Sequence, residues 1–152
     1  MMRFEHTTEI DRSLASVYAR ARDVERYPEF LPGYISSRIL KWVEGRALIE
    51  RQARVDKKIH SWRSWVHFND QKALHFQHAT GPLTGMQVYW QFNSLDASRT
   101  RLSIIHEIHL QRPFLIGRCL ERFVYGPKVR HLAAQVVVAF KQACEKDREI
   151  QS

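Results

Sequence analysis

The sequence predicts an α+β protein in which a curved antiparallel sheet of seven strands wraps around one long C-terminal helix. Apolar residues between Pro127 and Lys146 recur at the i, i+3, i+4, i+7 spacing of one helical face. Residues 34–109 alternate between apolar and polar, with turn-forming residues at regular intervals, as successive antiparallel strands do. A sheet of this size curls, and only the long helix can cover its concave face.

The N-terminal residues predict one strand followed by a short helical segment. Residues 3–10 alternate as a half-buried strand does. Asp11 or Ser13 can cap a helix over the residues that follow. Pro28 disfavours helical geometry in Tyr27 before it, so we expect the helix to end near Tyr27. The proline-rich residues after that point leave room for a short turn or a single helical twist.

The residues from Tyr34 onward predict six further strands. Asp, Asn and Gly residues that favour turns separate most of them, and a longer loop is expected at 81–85. The expected strands are 34–43, 46–55, 59–68, 73–80, 86–95 and 100–109. With the first strand they make a seven-stranded sheet.

Length and composition predict one cytoplasmic domain. The chain has 152 residues and 44% hydrophobic content, which suits a single domain spanning 1–152 with one core. Its first residues carry charges and no apolar run, so neither a signal peptide nor a membrane span is predicted. Cys119 and Cys144 lie too far apart along the helical region for a disulfide. We expect both to be buried thiols in a reducing compartment.

The net charge is the unusual feature of the composition. The chain has 24 Lys and Arg against 16 Asp and Glu, a formal charge of +8. Such a surface attracts nucleic acid, ribosomal RNA, anionic membrane surfaces and acidic small molecules, and composition does not choose among them. The alternative is a basic, solvated surface without a specific partner. The candidate contacts on this surface are Lys57, Lys58, Arg118, Arg122, Lys128 and Arg130.

The order of elements and three motifs resemble a known superfamily. The motifs are Tyr27-Pro28-Glu29-Phe30-Leu31-Pro32, Trp62-Arg63-Ser64, and Gly81-Pro82-Leu83-Thr84-Gly85-Met86 followed by Trp90-Gln91-Phe92. They resemble the START-like helix-grip superfamily (SRPBCC), which includes plant pollen allergens and polyketide cyclases/dehydrases. The motifs are most similar to its coenzyme-Q-binding branch, which includes a ribosome-association inhibitor toxin. The resemblance spans nearly the whole chain and implies a ligand cavity between sheet and helix.

Strand alternation predicts which side chains face that cavity, because residues two apart on a strand share a face. The predicted lining is mostly apolar with a few polar groups that could orient a ligand. A filled core remains the alternative for the large aromatic residues, and a buried arginine implies either a wet cavity or a salt bridge to Glu. The candidate ligand-binding residues are Arg51, Trp62, Ser64, Val66, Phe76, His78, Met86, Val88, Trp90, His106, Val137 and Phe140.

No motif predicts a metal, nucleotide or hydrolase site. His106 and His109 lie three apart in an expected strand, so their side chains face opposite sides and cannot share a metal. The same holds for His75 and His78. The sequence has no Cys-x-x-Cys, phosphate-binding glycine loop or nucleophile elbow. We therefore predict no metal and no cofactor.

Three functions remain open. The preferred one is non-enzymatic binding of a quinone, lipid, isoprenoid or polyketide, because the lining has so few polar groups. The second is a polyketide cyclase/dehydrase. The resemblance implies an arginine soon after the Trp-x-Ser run for such enzymes, but Val66 stands there, and Arg51 would have to replace it. The third is a toxin-like module that associates with the ribosome through the basic surface.

Overall fold

The computed structural model describes residues 1–109, 114–119 and 124–150. Within them, strands β1 to β7 span Met2–Ile10, Tyr34–Val43, Arg46–Val55, Lys58–Asn69, Ala73–His78, Gln87–Asp96 and Arg99–Ile108. The helices in the same residues are α1 (Leu14–Arg22), a 3-10 helix (Val24–Glu29), α2 (Phe114–Cys119) and α3 (Gly126–Lys146). The predicted α+β class is therefore confirmed.

The seven strands form one antiparallel sheet in the order β1-β7-β6-β5-β4-β3-β2. Strands β2 to β7 pair with their neighbours in sequence, and β1 joins the edge beside β7. Register shifts interrupt β2 between Tyr34 and Ser36 and between Ile39 and Lys41. Such bulges bend a strand and increase its twist, which suits a sheet that curves around a helix.

The helical segment after β1 differs from its predicted extent. Ser13 is the N-cap, and its side chain accepts a hydrogen bond from the Ser16 backbone N–H. The α-helix ends at Arg22 rather than near Tyr27, because Asp23 leaves helical geometry. The 3-10 helix that follows carries Tyr27, whose hydroxyl donates to the Ala21 carbonyl at 2.5 Å. The tighter helix allows the chain to turn back and bury this ring.

The β5–β6 connection also differs from prediction. β5 ends at His78 instead of residue 80, and the chain then forms a loop against β4, where the Ala79 N–H donates to the Arg63 carbonyl at 2.8 Å. Gly81 in this loop has φ +97°, and a Cβ atom there would lie 2.7 Å from Trp62 Cβ. Only glycine allows the loop to approach β4 this closely.

Helix α3 begins beside Pro127, as predicted, and its two halves have different surroundings. In the C-terminal half, Phe140 and Cys144 are fully buried, and Phe140 contacts the rings of Trp90 and Phe30. Tyr27 also stacks on Trp90, with ring centroids 5.6 Å apart. This half of the helix therefore closes a solid aromatic core.

The two cysteines differ in exposure. Cys144 is buried on α3, where burial raises the pKa of its thiol to about 12. Cys119 is exposed at the end of α2, so the prediction that both thiols are buried is wrong for Cys119. Alternation in the sequence did not reveal this, because six residues are too short a helix to define a buried face. None of the helices in the described ranges is long and apolar enough to cross a bilayer.

Candidate ligand-binding cavity

The concave face of the sheet and the N-terminal half of α3 enclose a cavity of about 160 Å³. Every strand from β2 to β7 contributes to its wall, together with the β5–β6 loop and one face of α3. Most of the wall is aliphatic or aromatic. The described lining residues are Tyr34, Arg51, Ala53, Val55, His60, Trp62, Phe76, His78, Pro82, Leu83, Met86, Val88, Trp90, Ile104, His106, Tyr125, Lys128, Val129, Leu132, Ala133 and Val136.

The cavity has a buried end and a mouth. Arg51, Phe76 and Trp90 at the buried end are each at most 5% exposed. The mouth lies where the β3–β4 turn, the β5–β6 loop and the first turn of α3 meet. At this end Lys128 of α3 reaches across to Asp56 in the turn, with 3.2 Å between Nζ and Oδ2. This exposed ion pair joins two sides of the mouth.

Eight of the twelve candidate residues lie on the cavity wall: Arg51, Trp62, Phe76, His78, Met86, Val88, Trp90 and His106. Ser64, Val66, Val137 and Phe140 do not line it. Ser64 and Val66 face inward on β4, as strand alternation predicts. On this strand the cavity is lined by the earlier residues His60 and Trp62, whereas Ser64 and Val66 are buried in the packed core. Val137 and Phe140 belong to the half of α3 that closes the aromatic core.

Most of the helical wall is formed by residues that were not among the candidates. Val129, Leu132, Ala133 and Val136 line the cavity from α3, on the N-terminal side of the candidates Val137 and Phe140. All four lie on the apolar stripe that predicted the helix, so periodicity could have found them. Periodicity cannot choose between the two halves of a stripe, because both halves look equally apolar.

Arg51 has an unusual environment for a charged side chain. Its Nε donates to the Ser37 hydroxyl at 3.2 Å, and its guanidinium carbon lies 4.8 Å from the ring centroid of Phe76 and 4.9 Å from that of Tyr27. The ring of Tyr34 is 5.5 Å away. One terminal nitrogen, Nη2, is buried and has no hydrogen-bond partner among the described residues.

Three further polar atoms on the wall are buried without a described partner: Trp62 Nε1, His78 Nδ1 and His106 Nδ1. The rings of Trp62 and His78 stack, with centroids 5.8 Å apart. His106 stacks instead on Phe4, at 5.2 Å. These rings give the apolar wall a small set of unused hydrogen-bonding positions.

Two of the three wall histidines, His78 and His106, are held in their neutral form. Desolvation, with the positive charge of Arg51 as the second cause, lowers the pKa of His78 to about 3. Desolvation and the proximity of His6 lower the pKa of His106 to about 4. The Nδ1 atoms are shielded from solvent although parts of both residues border the cavity. Arg51 is thus the one charged side chain at the buried end of the described wall.

The described residues contain no cluster of three or more His, Cys, Asp or Glu side chains placed to hold a metal ion. His106 lies in β7, and His109 follows the end of that strand. The described wall offers apolar contact, hydrogen bonding and two positive charges, that of Arg51 at the buried end and that of Lys128 at the mouth.

Comparisons with known proteins identify related sequences. A family model described as "Polyketide cyclase / dehydrase and lipid transport" matches residues 10–137. The ribosome association toxin RatA of Escherichia coli (strain K12) is 28% identical over 142 residues, which cover 92% of this chain and 85% of the toxin. The persistence and stress-resistance toxin PasT of Escherichia coli O6:H1 (strain CFT073) matches with the same identity and coverage.

Solved structures show the same architecture. The Zhui aromatase/cyclase from Streptomyces sp. R1128 superposes with a TM-score of 0.85 at 20% identity, covering 95% of this chain and 94% of the enzyme. A START superfamily protein from Mycobacterium smegmatis superposes with a TM-score of 0.70 at 19% identity, covering 94% of each chain. These likenesses establish the helix-grip fold for the chain, as the sequence motifs predicted.

Proposed function

Because this chain belongs to the polyketide cyclase/dehydrase and lipid transport family, we propose that it binds a hydrophobic small molecule in the cavity beneath α3. The observation that carries the proposal is the space itself, which is bounded by apolar side chains from six strands and a helix. A sheet face and a helix face this apolar would normally pack until the gap is filled. Here they do so only over the C-terminal half of α3.

The size of the cavity supports the same proposal. Its volume of about 160 Å³ compares with the engineered dry cavity of about 150 Å³ in another protein that binds benzene. A ring or a short branched chain therefore fits without rearrangement. A longer ligand would extend through the mouth, between the β3–β4 turn and the start of α3.

The protonation state of the wall favours binding over catalysis. A general base works best when its pKa lies near the operating pH. His78, at about 3, and His106, at about 4, are weak bases at pH 7. The position at which the cyclase resemblance implies an arginine is Val66, which is buried away from the cavity. At the buried end of the cavity these features supply positioning groups and no efficient proton acceptor.

Tryptophan fluorescence offers a direct test, because Trp62 and Trp90 both line the cavity. The neutral quinone 2-methyl-1,4-naphthoquinone is expected to quench their emission in a saturable way at micromolar concentrations. Ala133 is 2% exposed on the cavity face of α3, so Ala133→Phe places a ring in the space. We expect this variant to lose at least about tenfold in quinone affinity.

Ala134→Phe is the matched control, since Ala134 is exposed on the outer face of the same helix turn. It should bind the quinone as the unmodified chain does. Equal affinity in both phenylalanine variants would place the binding elsewhere. A lack of saturable quenching by the quinone, together with no binding of octanol or fatty acids in titration calorimetry, would refute the binding function.

Ribosome association is the second candidate. It is supported by the net charge of +8 and by the likeness to a relative named for ribosome association. Lys57 and Lys58 are exposed in and beside the β3–β4 turn, and Arg130 is exposed near the start of α3. Lys128, in the first turn of α3, pairs with Asp56 of that β3–β4 turn. Arg122 and the side chain of Arg118 lie outside the described residues. Absence of the protein from ribosome pellets at 50 mM salt would remove this candidate.

A further inference from the structure

The buried end of the cavity holds a positive charge that no described protein group neutralises. Arg51 is 5% exposed, and no carboxylate of the described residues lies within ion-pair distance of it. From this we infer that the ligand is an amphiphilic anion, which enters with its anionic oxygen first and presents that oxygen to Arg51. This inference rests on the proposed function and specifies its ligand class.

The carboxylate nearest in sequence is held elsewhere. Glu50 precedes Arg51 on β3, so its side chain points to the opposite face of the sheet. There it accepts hydrogen bonds from Arg38 at 2.9 Å and from Arg63 at 3.1 Å. These two arginines lower the pKa of Glu50, which keeps it ionised and paired outside the cavity. It therefore does not serve as the partner of Arg51.

The groups that surround Arg51 leave its buried nitrogen Nη2 without an acceptor. The rings of Tyr27, Tyr34 and Phe76 attract the positive charge through their faces. Ser37 accepts from Nε, but Nη2 has no acceptor among the described residues. A buried arginine with an unused N–H is an anion-binding group, because guanidinium hydrogen bonds to carboxylate oxygens are charge-assisted.

Neighbouring groups suit the same occupant. Trp62 is the cross-strand neighbour of Arg51, and its buried Nε1 also lacks a described partner. His78 stacks on Trp62. Its low pKa keeps it neutral, so Arg51 supplies the positive charge at this end of the site. No acidic side chain lines this part of the described wall to repel an anion. The remaining wall is apolar and suits a hydrocarbon tail.

Two matched probes test the inference, octanoate and octanol, which share a carbon count and differ in headgroup. Titration calorimetry at pH 7.5 should give octanoate an affinity about 10-fold to 100-fold higher than octanol, the range expected for a hydrogen bond to a charged group. Arg51→Met keeps a similar volume and should abolish this preference. Arg63→Met removes an equal charge from the outer face of β4 and should retain it.

A second readout does not depend on the variant being folded. Arg51 is one cause of the low pKa of His78, so an anion bound to Arg51 should raise that pKa, measured by NMR on the unmodified chain. Octane-1-sulfonate is the anion for this measurement, because it stays ionised at the acidic pH at which His78 titrates. Octanol should not raise the His78 pKa. Equal affinities for both probes, with no rise in the His78 pKa, would overturn the inference while leaving hydrophobic binding intact. If neither probe nor the quinone binds, the inference and the proposed function are both refuted.

Discussion

The buried charge of Arg51 is expected to serve ligand binding at a cost in the stability of the fold. Burying an isolated ion costs several kcal/mol even after relaxation. The three aromatic rings and Ser37 offset part of that cost, but cation–π contacts contribute roughly 0.5 to 2 kcal/mol each, and the buried Nη2 has no described hydrogen-bond partner. Arg51 is therefore expected to lower the stability of the ligand-free protein.

The consequence can be measured with the Arg51→Met variant. We expect its free energy of unfolding to rise by about 1 kcal/mol or more in urea denaturation, because methionine keeps the ring contacts and removes the buried charge. A structural arginine would behave differently. If the substitution instead lowers the unfolding free energy by about 3 kcal/mol, Arg51 has a partner that stabilises the fold.

His78 and His106 predict a pH dependence of stability. Their pKa values are lower in the folded chain, at about 3 and about 4, than the ordinary value of about 6.5. Between these limits the unfolded chain binds more protons than the folded one, so stability is full above pH 6.5 and falls as the pH decreases below it. For each pH unit of decrease within this window, each histidine should reduce the free energy of unfolding by about 1.4 kcal/mol.

Urea unfolding at pH 7 and pH 5 measures this effect. The loss of unfolding free energy between the two pH values should be smaller in His78→Gln than in the unmodified chain. The exposed His67→Gln serves as a control and should not change the loss. An identical pH dependence in all three proteins would show that the imidazole of His78 does not resist protonation.

At the scale of elements, the residues after α3 hold the start of α1. The Glu149 carboxylate accepts hydrogen bonds from the Ser13 backbone N–H at 2.9 Å and from the Ser16 hydroxyl at 2.8 Å. Asp147 pairs with Arg20 of α1, and the Ile150 N–H donates to Ser16. A carboxylate at a helix N-terminus also interacts favourably with the helix dipole. These contacts connect the two ends of the described chain.

Glu149→Gln is expected to reduce the free energy of unfolding by about 0.5 to 1 kcal/mol, because the helix N-terminus loses a charged acceptor. Arg148→Gln, at the exposed neighbouring position, should have little effect. Thermal unfolding compares the two variants. A neutral Glu149→Gln substitution would indicate that this segment does not hold α1 in solution.

At the scale of the molecule, exposed positive charge lies at the mouth end of the cavity. Lys57 and Lys58 follow β3, whereas Lys41 and Lys72 lie at the opposite end of the same strands. Reversing either pair lowers the net charge from +8 to +4, since each Lys→Glu change removes two charges. The two double variants therefore differ in the position of the change and not in its size.

If the mouth end binds a polyanion, Lys57→Glu/Lys58→Glu should weaken ribosome co-sedimentation. The affinity should also depend less steeply on salt, with the magnitude of the slope of log affinity against log salt reduced by about 2. Lys41→Glu/Lys72→Glu should leave the slope nearly unchanged. Equal losses in both double variants would mean that net charge alone drives the association and that no particular surface is recognised.

Much of the architecture follows from local sequence periods. The helical stripe from Val129 to Cys144 and the two-residue alternation of β3, Arg46–Val55, depend on which residues are apolar and how far apart they lie. Both can be counted in the sequence, so the sheet, the long helix and the inward position of Arg51 were predictable. The end of α1 was not, because Asp23 leaves helical geometry so that Tyr27 can be buried in the core.

The sequence by itself determined the order of elements, the inward faces of the strands and the basic charge. Only the tertiary structure decided that the Val129–Val136 half of α3 covers open space while the half with Phe140 closes a core, and that Glu50 pairs outside the sheet instead of with Arg51. The physical reason is that a cavity and an unpaired charge depend on how residues distant in the chain pack together. The periodicity of apolar residues within one element does not predict that packing.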